Sequence, residues 1–313
     1  MIRKSSELSG SFTEASPLKL PDLKNLYTQR SRRLMMLTNP DTNLPHPLKD
    51  YLLFVAEVVK AQAHVLQTLP PIDEAHREMA FPATLTVNWR NYPLRDPAVK
   101  CGDYWQNLFN AFLDHLNDNP VIQSQPVVHT LTRKLRQISK NQHEVTVTRL
   151  LARDRSALGA DAALFYWSAL SLYFAMLSRS VPLEIMEEPG VPRQFCPLCG
   201  SDPVASVVSG APPEGVRYLH CGLCDNEWRV TRAQCTNCES SGKIHYWFLD
   251  DHHAYVKAES CDDCKSYLKV VYQTLDPLVD PVADDLASIA LDYQMEIQGF
   301  ARSALNPLLF STP

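Results

Sequence analysis

Basic charge is in short supply: 30 Lys and Arg stand against 35 Asp and Glu, a net charge of −5. That removes the surplus of cations a dedicated polyanion binder needs for its phosphate contacts. Glycine is scarce as well, ten in 313 residues, and six of the ten fall between Gly190 and Gly242. No apolar run reaches the roughly 20 residues of a membrane-spanning helix. The longest, Ala162 to Leu177, has 16 residues, contains Ser168 and Ser171, and is bounded by Asp161 and Arg179, which predicts a buried helix. Residues 1–16 are polar and lack the apolar stretch of a secretory signal, so the expected location is the cytoplasm. Ser31-Arg32-Arg33-Leu34-Met35 resembles a twin-arginine export motif, but the apolar residues stop at Leu37, and the run reads as the basic face of a helix. No glycine-rich phosphate loop, nucleophile elbow or H-E-x-x-H motif occurs, so nothing predicts an enzyme. With 45% hydrophobic and 21% charged residues the chain is not a disordered one.

From residue 17 to about 187 the periodicity is helical. Leu20, Leu23, Leu26, Leu34 and Leu37 form one stripe; Leu48, Leu52, Val55, Val59, Leu66 and Leu69 form a second, with Pro47 suited to a first turn; Trp105, Leu108, Phe109, Phe112 and Leu116 form a third. Two further segments, 127–138 and 144–158, precede the apolar run at 162–177, which has no polar face and belongs at the centre of a bundle. Six helices are therefore expected. At Glu187-Glu188-Pro189-Gly190-Val191-Pro192 the period stops and short runs of strand formers begin, at 204–208, 216–219, 227–230, 244–249, 254–258 and 267–272. A last helix is expected beyond Pro281, with Val282, Leu286, Ile289, Tyr293, Ile297 and Phe300 on one face and Asp284 and Asp285 in its first turn.

Eight of the nine cysteines lie between Cys196 and Cys264 and form four C-x-x-C knuckles. Cys196 and Cys199 precede Cys235 and Cys238 by 39 residues, and Cys221 and Cys224 precede Cys261 and Cys264 by 40, so one unit is duplicated. A knuckle points two sulfurs at a common ion, and a hairpin that brings up a second knuckle completes a tetrahedron, the geometry of zinc or a single iron on four thiolates. Sequential pairing puts one ion on Cys196, Cys199, Cys221 and Cys224 and a second on Cys235, Cys238, Cys261 and Cys264. About 40 residues bury little apolar surface, and a structural ion worth an apparent ~10–16 kcal/mol offsets what such a core lacks. Four-thiolate closure disfavours hydrolytic catalysis; stapling, electron transfer and metal sensing or delivery stay open. His220, His245, His252 and His253 are expected as packed or exposed side chains, and Cys101 as a lone packed thiol. Trp228, Tyr246, Trp247 and Phe248 suggest a base-stacking platform. Residues 190–275, however, carry eight basic against ten acidic residues, so core or protein-interface aromatics are expected and nucleic acid is not.

Read together, Phe195-Cys196-Pro197-Leu198-Cys199-Gly200-Ser201, Arg217-Tyr218-Leu219-His220-Cys221, Cys235-Thr236-Asn237-Cys238-Glu239, His245-Tyr246-Trp247, Ala258-Glu259-Ser260-Cys261-Asp262-Asp263-Cys264 and Val282-Ala283-Asp284-Asp285-Leu286 resemble the FdhE family. These are accessory proteins required to form active respiratory formate dehydrogenase. The resemblance implies a cytoplasmic, non-enzymatic protein with rubredoxin-like knuckles and two metal ions per chain, iron favoured over zinc. Its implied partner is the catalytic subunit of a molybdenum-containing formate dehydrogenase, bound before export. The runner-up readings are a rubredoxin-like electron carrier and a nucleic-acid-binding zinc-ribbon protein. The expected fold is α+β: an all-α domain at 1–187, rubredoxin-like or zinc-ribbon-like four-cysteine units at 188–232 and 233–275, and at 276–313 a C-terminal helix packing back on the body.

Overall fold

The computed structural model describes residues 15–39, 44–80, 92, 94, 102–152, 154, 159–181, 194–250 and 253–309. Cys101, His252 and the 187–192 linker lie outside them. Among the described residues, eight helices form the N-terminal part: α1 (Leu26–Leu37), α2 (His46–Thr68), α3 (Glu74–Ala80), α4 (Gly102–Asn117), α5 (Pro120–Gln123), α6 (Pro126–Arg136), α7 (Lys140–Leu151) and α8 (Ala160–Ser178). The six expected helices are all present. The two additions, α3 and α5, are too short to display a period in the sequence. α2 carries Pro in its first turn and stops where Leu69, preceding Pro70, turns extended at ψ 144°. α7 starts four residues earlier than the apolar pattern suggests, because Ser139 and Gln142 form a capping box. α8 sits at the centre, with Tyr166, Ala169, Leu170, Leu172 and Tyr173 wholly buried against α2 and α4. No helix among the described residues is long and apolar enough to cross a membrane.

The basic face expected around Arg32 and Arg33 is a correction. Arg32 is exposed, but Arg33 is buried, and so is Arg30 one turn earlier, on the same face as Tyr27 and Leu34. Burying two guanidinium groups is tolerable only with carboxylate partners, and α1 finds them far along the chain, as described below.

The strands are β1 (Leu18–Lys19), β2 (Pro203–Val208), β3 (Arg217–Cys221), β4 (Glu227–Arg229), β5 (Ile244–Trp247), β6 (Val256–Cys261), β7 (Ser266–Tyr272) and β8 (Ala301–Arg302). They form one sheet in the order β1-β4-β3-β2-β7-β6-β5, with β8 also on β7. Each cysteine unit contributes an antiparallel meander, β2-β3-β4 or β5-β6-β7, and the parallel pair β2·β7 joins the two. The duplicated units thus share a sheet, and β5 is one of its edges.

The C-terminal stripe is a second correction. Two helices, α9 (Ala283–Ala287) and α10 (Ile289–Ile297), replace one, and the break at Ser288 rotates the second away, leaving Ile289, Tyr293 and Ile297 exposed while Leu291 and Met295 are buried. The cause is Lys269 on β7. Its wholly buried ammonium donates to the carbonyls of Asp285 (2.9 Å) and Ser288 (3.1 Å), to Ser288 Oγ (3.0 Å) and to Asp292 (2.6 Å), and so draws in carbonyls at the end of α9. α9 packs on α1 and α2, and α10 lies beside β8.

Candidate metal centres

Each knuckle ends on a residue in the left-handed region: Gly200 (φ 66°), Asp225 (φ 54°), Glu239 (φ 62°) and Lys265 (φ 53°), each immediately after the second cysteine of its pair. This turn lets both sulfurs face one point. It is free of strain at Gly200 and unfavourable for the other three, which the surrounding contacts must hold. The turns repeat in detail as well: Gly200 N–H donates to Cys196 O (2.8 Å) and Glu239 N–H to Cys235 O (2.9 Å), while Cys196 N–H reaches Ser201 O (2.9 Å) and Cys235 N–H reaches Ser240 O (2.8 Å).

The four sulfurs of Cys196, Cys199, Cys221 and Cys224 lie within 4.8 Å of one another, and so do those of Cys235, Cys238, Cys261 and Cys264. These quartets are the two groups among the described residues that could hold a metal ion, and they follow the sequential pairing read from the repeat. Metal–sulfur bonds of about 2.3 Å give a tetrahedron with edges of about 3.8 Å. In the second quartet Cys235–Cys264 and Cys238–Cys261 are each 3.7 Å apart; in the first, Cys196–Cys224 and Cys199–Cys221 are 3.5 and 3.3 Å apart. All are free thiols in the structure.

The electrostatics also suit a cation. Burial alone raises the pKa of Cys199, but hydrogen bonds from Cys196, Cys221 and Cys224 reverse this and hold it well below the ordinary thiol range, while burial pushes Cys221 and Cys224 well above it. Burial likewise pushes Cys235 up to about 12, whereas at Cys264 the hydrogen bonds of Ser266 outweigh burial and bring it to about 6. Each quartet thus holds one thiol down and others up, and a divalent ion supplies the charge that lets the thiols raised by burial ionise.

Around the sulfurs are groups the sequence reading missed. Asn226 Nδ2 donates to Cys224 Sγ (2.9 Å), the amides of Leu223 and Cys224 point at Cys221 Sγ (3.3 Å each), and Ser266 Oγ lies 3.0 Å from Cys264 Sγ. Asp225, next to Cys224, is buried in an ion cluster with Arg30 (2.8 Å), His220 (3.0 Å), Ser171 (3.1 Å) and Tyr27 (3.3 Å). Arg30 also pairs with Asp280 (3.1 Å), and Arg33 binds Asp284 and Asp276, each at 2.7 Å. The readable signal was Arg30 on the apolar face of α1. His220 is packed and ion-paired, Asp225 and Glu227 outweighing burial to hold it at about 9. His245 pairs with Asp262 (3.2 Å) and His253 with Asp250 (2.8 Å), so neither stands in a quartet. Trp228 is buried and Trp247 packs on Phe300, while Tyr246 and Phe248 are exposed.

Comparison with known proteins gives a consistent result. The family models described as FdhE N-terminal, FdhE central domain and FdhE C-terminal domain match residues 15–190, 195–232 and 233–309. The proteins named FdhE from Escherichia coli K12 and from Shigella boydii serotype 18 are each 44% identical over 296 residues, covering 94% of this chain and 91% of theirs. The crystal structure of the FdhE protein from Pseudomonas aeruginosa superposes with a TM-score of 0.79 at 28% identity, covering 95% of this chain and all of that one. With family models spanning nearly its whole length and both cysteine quartets assembled, the chain belongs to the FdhE family of formate dehydrogenase accessory proteins.

Proposed function

We propose that this chain works in the cytoplasm by binding the catalytic subunit of a respiratory formate dehydrogenase before export, without turning over a substrate, and that both quartets hold metal, iron in preference to zinc. The observation that carries this reading is family membership across the chain together with two complete four-sulfur clusters. In this scheme residues 1–187 are the supporting helical domain, 188–232 and 233–275 hold one ion each, and 276–313 ties the sheet to the helices. A bound ion would cross-link the two knuckles of its unit and offset part of the charge of their thiolates. The chain's own contribution is to hold the docking surface that this cross-link rigidifies.

The test is co-expression with the catalytic subunit. The wild-type chain, purified anaerobically, should carry two ions and co-purify with the subunit. The double variant Cys235→Ser/Cys238→Ser should carry one ion, keep its helical circular dichroism, and lose both subunit binding and formate-dependent electron transfer in cells. Normal binding and activity after loss of that ion would refute the assignment of function to the knuckles. Stoichiometric zinc in a colourless anaerobic preparation would refute iron.

A further inference from the structure

The two quartets share a motif but not a setting. All four cysteines of the first are buried, and all four belong to the main hydrophobic core together with Leu198, Leu219, Leu223 and Trp228. Its second knuckle is clamped from outside the unit. Trp167 Nε1 of α8 donates to Gly222 O (2.8 Å), and Asp225 is held by Arg30 of α1 and Ser171 of α8. Opening this quartet means breaking buried contacts to two helices.

The second quartet is held less deeply: Cys235 and Cys261 are buried, and its knuckles are tied to the rest of the chain through backbone carbonyls, Arg217 donating to Gln234 O (3.3 Å) and Ala301 N–H to Lys265 O (2.8 Å). Cys238 is exposed, Cys264 is partly exposed, and no cysteine of the four belongs to either hydrophobic core. The first knuckle of this quartet runs through exposed Asn237 and Glu239, held by surface bonds: Gln234 to Glu239 O (2.8 Å), Gln194 to Asn237 O, and Ser240 to Asp263. Cys261 of this quartet pairs with Ile244 of β5, an edge strand that has no neighbour on its other side among the described residues. Local opening is easiest where few buried contacts must be broken.

We infer that the second quartet is an exchange site, through which metal enters and leaves by ligand substitution at Cys238, while the first is a permanent staple. The inference rests on the proposal that both quartets bind metal. The reacting group is a thiol able to reach Cys238. Its sulfur bonds to the ion as the ion–Cys238 bond breaks, and its proton passes to the departing Cys238 thiolate, which leaves as a thiol. No electron is transferred, and the charge on the site is unchanged. Cys235, Cys261 and Cys264 then follow by the same step.

The test uses the full chain loaded with zinc, a chromogenic chelator, and glutathione as the thiol. Metal content at the start reads the ligand assignment itself, at two ions per chain. Release should then occur in two phases of one ion each, roughly tenfold or more apart in rate, with only the fast phase accelerating as glutathione rises. Alkylation in the same reaction, mapped by mass spectrometry, should label Cys238 first and leave Cys196, Cys199, Cys221 and Cys224 unlabelled throughout the fast phase. Cys238→Ser should bind one ion, released in the slow phase alone. Two ions leaving together, a fast phase indifferent to glutathione, or alkylation that begins in the first quartet would overturn the inference while leaving partner binding untouched. A chain that takes up no zinc would overturn both.

Discussion

Arg30→Met removes one charge from the buried cluster that ties α1 to the first four-cysteine unit, and the structure sets the scale of the loss. The guanidinium, 3% exposed, makes a 2.8 Å pair with Asp225 and a 3.1 Å pair with Asp280. Truncating one partner of a buried pair costs about 3–5 kcal/mol, because the other charge stays behind in a poor solvent. Here the lower end applies. Asp225 keeps His220, Ser171 and Tyr27, and Asp280, which is 14% exposed, keeps the amides of Val282 and Ala283. About 3 kcal/mol is expected, read as a fall in the urea midpoint of metal-loaded protein with the slope unchanged. Met keeps most of the aliphatic stem, so little packing is lost. Adding Asp225→Asn should recover part of the loss, since the stranded carboxylate is then neutral, and the cycle isolates the pair. A cost below about 1 kcal/mol, or a double variant worse than the sum of the singles, would refute the view that desolvated charge governs this contact.

Other outcomes follow from single features. Leu170→Ala, at a wholly buried position at the centre of the bundle, should lower stability by about 2–5 kcal/mol in chemical denaturation; a loss under 1 kcal/mol would mean the bundle collapses onto the cavity. Ser139→Ala removes half of the capping box of α7 and should cost about 1 kcal/mol, measured the same way. Burial holds the pKa of His143 below the ordinary histidine value, with Nδ1 against Tyr166 Oη at 2.6 Å and Nε2 without a partner among the described residues. Because the folded value is depressed, the stability tied to the neutral ring is complete above the unfolded pKa of about 6.5 and drains as pH falls toward the folded value. The urea midpoint of the wild type should therefore drop more steeply than that of His143→Gln as pH is lowered from 7 to about 5.5, and equal slopes would exclude His143 as the cause.

Much of this molecule is written in local pattern. The 39- and 40-residue offsets between knuckles, the stripes on α1, α2, α4 and α8, and the strand runs from 204 to 272 all report contacts between neighbours in the chain, which periods of 3.6 and 2 and a C-x-x-C turn express directly. The grouping of the cysteines into two quartets was legible for the same reason, since each needs only one hairpin. Other features answer to residues far away. The spacing of Ile289, Tyr293 and Ile297 is that of a buried stripe, yet they face solvent because Lys269, on another element, interrupts the helix. Arg33 reads as surface charge but is buried, because Asp284 waits 251 residues later. The difference between a core-embedded and a partly exposed cysteine quartet is invisible in two near-identical motifs. It depends on which copy α1 and α8 pack against, and a buried contact such as Arg30–Asp225 forms only when chain segments 195 residues apart share one desolvated space.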